Sequence, residues 1–438
     1  MHIQKNDKIG PPINWLSTHE LPVGGAFLDS GTDRHDSRFS TLALIPSSIE
    51  SFNCTDLSWS KIRHFPRPTV MPAELHHLNL PYPKYICALS YELVEQVEKI
   101  ELRTQQQLPH LWIAQYDAVY VWDRIDQQGW LISDSVESSK LLEQALLNAP
   151  IRPISQIRVQ PTLQTDLDQY THHRAVEQIQ SAIFEGDVYQ VNLTTSMTLP
   201  FSSTPCPTHV YLTLREKNPA SYGVLLRINT KQSICSLSPE LFLKWDQKHV
   251  YTAPIKGTRP RGQTLTDDQR LSAELMQSEK DKAEHLMIVD LERNDLGKIC
   301  KTGTVRVDKL MELKSFPSVH HLVSEISGEL RTDVDLYALL RATFPGGSIS
   351  GAPKVRALQM IRSLETKSRE IYCGALGYID PWGGGVLNLP IRTAWISDQT
   401  LYYHAGGGIV ADSKPLEEWD ELWVKTHAFL SALNISRP

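Results

Sequence analysis

The chain has 438 residues, a net charge of −6, 41% hydrophobic residues and 21% charged residues. These fractions are typical of soluble globular proteins and exclude the collagen-like, disordered and disulfide-scaffold classes. The length predicts two or three domains or one unusually large α/β unit.

Charge and hydropathy patterning limit the possible partners. No Lys/Arg-rich run offers the basic surface that nucleic acid requires, so we expect no nucleic-acid partner. No apolar run approaches the ~20 residues of a membrane helix, and the N-terminal residues contain no apolar stretch of signal-peptide length. We therefore expect a cytoplasmic protein without a membrane partner. Six scattered cysteines include no C-x-x-C pair, which favours reduced thiols over a zinc site or a disulfide framework.

The chain divides into two regions. Residues 1–147 contain short β-type runs such as YICAL and AVYVW between proline-rich connectors, a pattern typical of strands and turns. Residues 148–165 have low periodicity and three prolines, so they are the predicted boundary. The second region, 166–435, has longer and clearer patterns. Its first helix is predicted over 170–183, with Gly186 as its C-terminal stop, before a strand in DVYQVNLTTSM.

Three more helix starts are predicted in the second region. Thr266 and Gln269 have capping-box spacing, and Ser278 with Asp281 repeats an N-terminal signature before AEHLMIVDLERND. Pro415 begins the last helix, in which Leu416, Trp419, Leu422, Thr426 and Leu430 lie on roughly one apolar stripe.

Acidic side chains one helical turn apart form the first candidate site. Asp281 and Glu284 share one predicted helix, and Glu418 and Glu421 share another, where Lys425 lies on the same face. Like charges at this spacing are unfavourable without a counter-ion, and Mg²⁺ commonly takes one or two carboxylates together with waters and an anionic substrate. Two such helices facing each other would suit Mg²⁺; solvated helix faces are the alternative.

Glycine-rich segments and a recessed arginine form the second candidate site. FPGGSISGAPK, residues 344–354, and HAGGGIVAD, residues 404–412, lack Walker A spacing but allow backbone amides to approach a carboxylate. Simple tight turns are the alternative. Arg392, in the strand-like run NLPIRTAW, is expected to pair with a carboxylate of the protein or a ligand. Together with the acidic pairs, these features suggest a small substrate with more than one carboxylate.

A lysine within PIKGTRPRG is the candidate nucleophile. The pKa of Lys256 would fall if the amine were desolvated or close to other cations, and a neutral amine can attack carbon. Arg259 and Arg261 are the cations that the sequence suggests for this effect. A surface lysine in a basic loop is the alternative interpretation.

The order and spacing of seven motifs resemble the chorismate-utilising enzymes. These motifs are PIKGTRPRG, KDKAEHLMIVDLERNDLG, SFPSVHHLVSEISG, FPGGSISGAPKVRA, IYCGALGYID, LNLPIRT and AGGGIVADSKPLEEWDE, within 166–435. GAFLDSGTDRHDSRFSTLALIP, in 1–147, more weakly resembles the N-terminal region of the family's synthase large subunits. The resemblance implies an α/β (α+β) fold, a large two-layer sandwich of mainly antiparallel sheets with outer helices, with both regions packed into one body.

The resemblance also implies a reaction. PIAGT is typical of the anthranilate synthases, whereas PIKGT is similar to the branch that aminates chorismate at C4, the aminodeoxychorismate synthases. In that branch the amine of Lys256 would attack C2 and expel the C4 hydroxyl, after which ammonia attacks C4 and expels the lysine. Glu240 matches the general acid, which partial burial would keep protonated near neutrality.

The remaining site residues are implied by position alone. Glu284 and Glu421 match the Mg²⁺ ligands, and Asp281 and Glu418 look like water-mediated partners of the metal. Substrate-binding positions match Thr258, His321, Tyr372, Arg392, Gly406, Gly407 and Gly408, of which Tyr372 and Arg392 would hold the enolpyruvyl carboxylate and the three glycines the ring carboxylate.

Two departures refine this hypothesis. Isochorismate and salicylate synthases use a lysine where this chain has Gln190, and an amide is no base at neutral pH, which argues against those activities. Trp419 occupies a position where the family commonly has tyrosine, which could alter helix packing.

No G-x-C-x-G turn is present, so ammonia would come from a separate glutamine amidotransferase subunit. Anthranilate synthesis and a non-catalytic subunit that senses chorismate or tryptophan are the alternatives.

Overall fold

The computed structural model describes residues 1–31, 38–66, 68–100, 106–151, 162–316 and 319–437. Strands β1 to β11 span His2–Asn6, Ala26–Asp29, Phe39–Ala43, Pro46–Phe52, Tyr85–Leu89, Leu111–Tyr116, Ala118–Asp123, Gln128–Ser133, Gln164–Thr165, Gln190–Pro200 and Tyr222–Arg227. Strands β12 to β22 span Gln232–Ser238, Leu241–Trp245, His249–Ala253, Ile255–Pro260, Arg306–Ser315, Val319–Glu329, Gly351–Ala352, Ala375–Ile379, Gly385–Asn388, Thr393–Ser397 and Thr400–Ile409.

Helices cover the outer surfaces. Helices α1 to α6 span Pro12–Leu16, Thr55–Arg63, Ala73–Leu78, Val94–Glu98, Val136–Asn148 and Gln169–Phe184. Helices α7 to α12 span Pro207–Lys217, Leu265–Gln277, Glu279–Gly297, Leu336–Thr343, Lys354–Leu364 and Pro415–Ala432. Short 3₁₀ turns occur at Tyr91–Leu93 and Gly347–Ile349. None of the helices in the described ranges is long and apolar enough to cross a membrane.

Two antiparallel sheets form the body of the molecule. The 12-stranded sheet has the order β1-β8-β7-β3-β2-β11-β12-β21-β22-β10-β18, with β9 also paired to β10. The 10-stranded sheet has the order β15-β17-β14-β13-β20-β19-β5-β6-β4, with β16 also paired to β17. The predicted fold class, a two-layer α/β sandwich of antiparallel sheets with outer helices, is therefore confirmed.

Strands from residues 1–147 extend both sheets. Strand β2 pairs with β11 in one sheet, and β5 pairs with β19 in the other. The predicted boundary at 148–165 lies partly outside the described residues, because 152–161 are not described. The division into regions 1–147 and 166–435 remains a prediction. One strand pair in each sheet, β2–β11 and β5–β19, joins the two regions by hydrogen bonds.

Alternating side chains divide the core into layers. In β11, Val224 and Leu226 face the large core between the sheets, whereas Leu225 faces the helices outside the 12-stranded sheet. This two-residue alternation is what a pleated strand imposes when both faces are covered. A third, smaller core lies between α6, α11 and the β10–β22 pair.

Helix starts follow local capping, with one correction to the sequence. Helix α6 ends at Phe184, and Gly186 follows with a φ of +83°, as predicted. Ser278 caps α9, accepting a hydrogen bond from the Asp281 amide, also as predicted. The predicted cap at Thr266 is wrong, because Thr264 caps α8 by accepting from the amide of Asp267. Two threonines two residues apart were candidates for the N-cap, and the cap is the one whose hydroxyl accepts from a free N–H group of the first turn.

The last helix begins where the sequence predicts and buries most of the predicted stripe. Pro415 is its first residue, and Trp419, Leu422, Thr426 and Leu430 are buried. Leu416 is 56% exposed, so its assignment to the stripe is wrong. In the first turn of a helix one side of the apolar stripe can extend beyond the surface it packs against.

Candidate active site

Lys256 lies in β15 at a distorted point of the sheet. The β15–β17 pairing shifts register between Lys256 and Thr258, and the intervening Gly257 has a φ of +77°. A Cβ at Gly257 would approach Leu275 Cδ1 to 2.9 Å and Asp281 Cβ to 3.3 Å. Glycine is required here both by the left-handed backbone and by the close approach of α8 and α9. This bulge sets the direction of the Lys256 side chain against α9.

The Lys256 amine lies in a dense, charged environment although part of the residue remains exposed. Burial lowers the pKa of Lys256; Lys425 lowers it further, while Glu284, Glu240 and Glu421 oppose the change. The sequence suggested Arg259 and Arg261 as the cations responsible, and that suggestion is wrong. Those guanidinium groups are engaged by carboxylates: Arg259 pairs with Glu274 and Asp281, and Arg261 with Asp268.

A buried histidine fixes the backbone at Lys256. His285, the residue after Glu284 in α9, is fully buried, and its Nε2 lies 2.7 Å from Ser324 Oγ. Its Nδ1 lies 3.4 Å from the carbonyl oxygen of Lys256. Burial lowers the pKa of His285 to about 4, so its ring is neutral at physiological pH. Helix α9 and strand β15 are therefore joined directly behind the lysine.

Glu240 lies between β12 and β13 and is 5% exposed. Its Oε1 accepts a hydrogen bond of 2.9 Å from Ser348 Oγ, and its own amide donates to Ser238 Oγ at 3.2 Å. Burial raises the pKa of Glu240 to about 7, against opposing effects of Ser348, Lys256 and Arg392. A carboxyl group with such a pKa carries a proton in about half of the molecules at neutral pH, the condition that a general acid requires.

The four acidic residues come from two helices, α9 and α12. Burial raises the pKa of Glu284, while Lys256 and Lys280 oppose the change. Glu418 is buried, accepts from Ser413 Oγ at 2.6 Å and lies 3.7 Å from Lys280 Nζ.

Glu421 is half exposed and pairs with Lys425 at 2.7 Å. Lys425 is the main cause of a lowered pKa at Glu421. Asp281 pairs with Arg259 Nη2 at 3.1 Å. The carboxylates also repel one another through space. Glu421 and Asp281 both raise the pKa of Glu284, and Glu421 raises the pKa of Glu418.

The donor set is chemically suited to Mg²⁺. Within the described ranges, no three His, Cys, Asp or Glu side chains form a metal-binding group by themselves. Mg²⁺ needs only one or two protein carboxylates, because it keeps several waters and takes oxygen atoms from an anionic substrate. Glu284 and Glu421, from different helices and acting on each other electrostatically, can meet that need.

Gly406, Gly407 and Gly408 form part of β22 and not the tight turn that was the alternative interpretation of the sequence. They pair with Thr194, Leu193 and Asn192 of β10. A Cβ at Gly407 would lie 3.2 Å from Lys425 Nζ, 3.6 Å from Glu418 Oε2 and 3.8 Å from Glu421 Oε1. The turn interpretation is therefore wrong, but the bare backbone faces the charged cluster of α12. Lys425 Nζ also donates to the Gly406 carbonyl at 2.9 Å.

Gln190 lies beside this glycine strand. A Cβ at Gly408 would approach Gln190 Nε2 to 2.1 Å, so any larger residue there would require the Gln190 side chain to move. Gln190 is completely buried, and neither its Nε2 nor its Oε1 has a hydrogen-bond partner among the described residues. The amide that the sequence singled out as the replacement for a catalytic lysine is thus next to the glycine backbone.

Tyr372 and Arg392 share the neighbour Tyr403. Tyr372 is buried, and its ring lies 5.5 Å from that of His404. Burial lowers the pKa of Arg392, with Tyr403 and Glu240 opposing it, and Arg392 Nη1 donates to Asn218 Oδ1 at 3.1 Å. Tyr403 acts electrostatically on both residues.

Thr258 and His321 are directly paired across β15 and β17. Thr258 Oγ1 lies 2.9 Å from His321 Nδ1, and the ring of Phe316 lies 5.4 Å from that of the histidine. Thr258 is exposed, whereas His321 is buried. The pair lies two residues along β15 from Lys256.

Several residues of this site were missed in the sequence. Lys280, His285 and Ser348 lie inside motifs that the sequence singled out, yet no local pattern distinguishes them from their neighbours. For Lys425 the sequence does contain a signal, because its spacing places it on the same helix face as Glu421, with which it pairs in the structure. Trp419 packs edge-on against Trp423 at 5.6 Å and near His172 of α6 at 5.2 Å, so it joins α12 to α6.

Comparisons with known proteins identify the family of the chain. Residues 31–431 match the sequence profile of a family described as chorismate binding enzyme. The chain is 43% identical to anthranilate synthase component 1 of Aquifex aeolicus over 60% of this chain and 52% of that protein. It is 35% identical to aminodeoxychorismate synthase component 1 of Bacillus subtilis over 80% of this chain and 76% of that protein.

The fold is also found in solved structures. The crystal structure of anthranilate synthase component I from Streptococcus pneumoniae matches with a TM-score of 0.76 and 29% identity. The match covers 90% of this chain and 92% of that one. The two chains therefore share the same overall fold.

Proposed function

The chain belongs to the family of chorismate binding enzymes, and from that premise we propose that it is component 1 of an aminodeoxychorismate synthase, which replaces the C4 hydroxyl of chorismate by an amino group. The name of the Bacillus subtilis relative, which aligns with 80% of this chain, supports the proposal. The product would be 4-amino-4-deoxychorismate, the precursor of 4-aminobenzoate and folate.

One observation carries the proposal: Lys256 shares its electrostatic environment with Glu240, Glu284 and Glu421. A surface lysine in a basic loop would have solvent around its amine and no reason to lose its proton. The packed amine beside Lys425 has a lowered pKa and so a larger neutral fraction. A neutral amine next to a protonated carboxyl group is the pair that a nucleophilic displacement with acid assistance needs.

In the first step the neutral Nζ of Lys256 attacks C2 of chorismate. The new N–C2 bond shifts the ring double bonds and breaks the C4–O bond. Glu240 gives its proton to the departing oxygen, so that the hydroxyl leaves as water and Glu240 becomes a carboxylate. Ser348, bonded to Glu240 Oε1 at 2.9 Å, fixes the carboxyl while it donates.

In the second step ammonia attacks C4 and the N–C2 bond breaks. The electron pair of that bond returns to the Lys256 nitrogen. The excess proton on the new C4 ammonium group or on the lysine can return to the Glu240 carboxylate. Chorismate and ammonia are thereby converted to the amino product and water, and splitting the substitution into two steps avoids direct displacement of a hydroxyl.

The other residues would bind and orient the substrate. Tyr372 and Arg392 would hold the enolpyruvyl carboxylate, and the backbone of 406–408 the ring carboxylate, with Thr258 and His321 lining the ring. Glu284 and Glu421 would hold Mg²⁺ directly, with Asp281 and Glu418 acting through water. When bound, Mg²⁺ supplies positive charge that neutralises a substrate carboxylate.

Ammonia would be delivered by a glutamine amidotransferase subunit. The designation component 1 of the Bacillus subtilis relative supports a second component. A high concentration of an ammonium salt should replace that subunit in vitro, because ammonia is the nucleophile in both cases.

The test is to incubate the purified chain with chorismate, Mg²⁺ and an ammonium salt and to identify the products by mass spectrometry. We expect aminodeoxychorismate and, on rapid quenching, a chain heavier by chorismate less one water. Lys256→Ala should abolish both signals, whereas Lys282→Ala, which changes an exposed lysine of α9 paired with Glu279, should leave them intact. Undiminished turnover by Lys256→Ala would disprove the covalent step.

Anthranilate synthesis is the second candidate, favoured by the Aquifex aeolicus and Streptococcus pneumoniae relatives. It is distinguished by its product, because anthranilate is a fluorescent aromatic that has lost pyruvate. Fluorescent product from the unmodified chain, without aminodeoxychorismate, would select this alternative.

A further inference from the structure

Glu292 is a second buried carboxyl group close to Glu240. It lies in α9, eight residues or about two helical turns beyond Glu284, and is 3% exposed. Its Oε2 has no hydrogen-bond partner among the described residues. A buried carboxyl group with one bare oxygen is costly, so its retention calls for an explanation beyond packing.

A short chain of contacts leads from Glu292 to Glu240. Glu292 Oε1 accepts a hydrogen bond of 2.9 Å from the amide of Gly347. The next residue, Ser348, donates its hydroxyl to Glu240 Oε1 at the same distance. Two carboxyl groups from different elements therefore hold adjacent residues of one 3₁₀ turn, and the position of the Ser348 hydroxyl depends on both.

The turn is built for this close approach. A Cβ at Gly347 would come within 2.7 Å of Leu291 Cδ2 and 3.2 Å of Glu292 Oε1, so a side chain there would push the amide away from α9. A second connection lies nearby, where Lys354 Nζ donates to Asp295 Oδ2 at 2.8 Å and to the carbonyl of Pro345 at 3.1 Å. Helix α9 thus contacts the turn directly through Glu292 and is connected through Lys354 to Pro345, two residues before the turn.

We propose that Glu292 is a positioning residue for Glu240: it anchors the Gly347–Ser348 peptide whose hydroxyl orients the Glu240 carboxyl, and its charge helps to keep the proton on that carboxyl. The proposal rests on the proposed function in that Glu240 is taken as the proton donor. Glu292 itself touches neither reacting atoms nor substrate in this scheme. Its influence passes through one peptide unit and through the field between the two carboxyl groups.

The charged groups around the pair set the direction of the effect. Around Glu292 are Asp295, Lys354 and Glu240; burial raises its pKa to about 7, and Asp295 raises it further. Lys298 also pairs with Asp295, at 2.7 Å. The rise in the pKa of Glu240 is opposed by Ser348, Lys256, the backbone of Ile255 and Arg392, and the charge of Glu240 in turn raises the pKa values of Cys373 and Glu292. The repulsion between the two glutamates is mutual. Because like charges disfavour joint ionisation, an ionised Glu292 makes Glu240 hold its proton to higher pH.

Two variants separate the anchoring effect from the charge effect. Glu292→Gln keeps an oxygen that can accept from Gly347 but removes the charge, whereas Glu292→Leu removes both at similar volume. Asp290→Asn is the matched control, because it changes an exposed carboxylate of the same helix that pairs with Arg293. Circular dichroism and thermal unfolding would verify that each variant is folded.

The readout is the pH dependence of kcat for chorismate with saturating ammonium and Mg²⁺. Activity should fall as pH rises through the pKa of Glu240, because the donor then loses its proton. In both Glu292 variants this decline should move to lower pH by roughly half a unit to one unit, since a like charge is gone. In Glu292→Leu alone the plateau of kcat, that is, its maximum between the protonation of Lys256 at lower pH and the loss of the Glu240 proton at higher pH, should also fall by about tenfold, a part of the ~10²–10⁴-fold that a general acid contributes.

The KM for chorismate should change little, and Asp290→Asn should reproduce the unmodified chain. An unmoved decline together with an unchanged plateau in Glu292→Leu would overturn the proposal. Equal loss of plateau activity in Glu292→Gln and Glu292→Leu would overturn the anchoring role.

A measurement without turnover keeps the two proposals apart. Carboxyl ¹³C NMR of a chain labelled at glutamate side chains, with the Glu240 signal assigned by Glu240→Gln, reports its titration directly. If the unmodified chain makes no aminodeoxychorismate, the proposed function fails, yet the Glu240 midpoint should still fall in Glu292→Gln. An unchanged midpoint would overturn the Glu292 proposal whatever the reaction.

Discussion

Replacing Glu240 by glutamine should make the protein less active and, at alkaline pH, more stable. The substitution keeps the size of the side chain and an oxygen that can accept from Ser348, but it removes the proton to be donated. Residues that serve catalysis often cost stability, and a buried carboxyl group costs far more when it is ionised than when it is protonated. The two effects therefore have different pH dependences.

The magnitude follows from the pKa of Glu240, which burial raises from its ordinary 4.5 to about 7. A rise of this size means that the native environment disfavours the ionised form of Glu240, relative to the protonated form, by about 3 kcal/mol more than water does. Between these two pH values the native chain binds a proton that the unfolded chain has lost, so stability falls as pH rises. Glutamine is neutral throughout, so Glu240→Gln should gain up to about 3 kcal/mol over the unmodified chain at pH 8 and almost nothing at pH 4.5.

The assay compares urea unfolding of both chains at pH 5 and pH 8, alongside amination rates at neutral pH. The rate of the variant should fall by ~10²–10⁴-fold, the usual contribution of a general acid. Glu329→Gln is the matched control, because it changes a half-exposed glutamate that pairs with Lys301 on the surface. A stability difference that is the same at both pH values, or full activity in Glu240→Gln, would refute the reasoning.

Three further substitutions test the supporting structure. Gly257→Ala should lower the free energy of unfolding by about 1–2 kcal/mol, because the φ of +77° disfavours a Cβ; an unchanged urea midpoint would contradict the strained bulge. Arg369→Met should cost about 3–5 kcal/mol, because buried Glu365 loses the two hydrogen bonds from Arg369, at 2.6 and 2.9 Å, and keeps the one from the Thr194 amide; a variant of normal thermal stability would show that this pair is dispensable. Glu421→Gln should raise the Mg²⁺ concentration for half-maximal activity by ~10-fold or more, whereas exposed Glu417→Gln should not, and equal Mg²⁺ dependence would remove Glu421 from the metal site.

Much of the fold was predictable because it depends on local patterns. The helix over 170–183, the cap at Ser278 and the start at Pro415 were read correctly, since each depends on a few adjacent residues. The cap at Thr266 was wrong because Thr264, two residues earlier, satisfied the same rule. A tight turn at glycines 406–408 remained an alternative in the sequence, because composition alone does not reveal that β10 pairs with them.

The sequence supplied candidate residues for the site but not their arrangement. The motifs identified Lys256, Glu240 and the acidic residues of α9 and α12. They did not reveal that Glu292 holds the turn behind Glu240, because the two residues are far apart in sequence and joined only through Gly347 and Ser348. Nothing in the spacing of DLERND distinguishes that glutamate from a solvated one.

The sequence by itself determined the periodicities, the caps and the motifs that identify the family, because these are properties of neighbouring residues. Only the tertiary structure decided the electrostatics. Arg259 and Arg261 are closest to Lys256 in the chain, yet carboxylates engage them, and Lys425, from the last helix, is the cation that acts on the amine. Charges interact through space and burial is a property of the packed whole, so a pKa is set by contacts that sequence order does not contain.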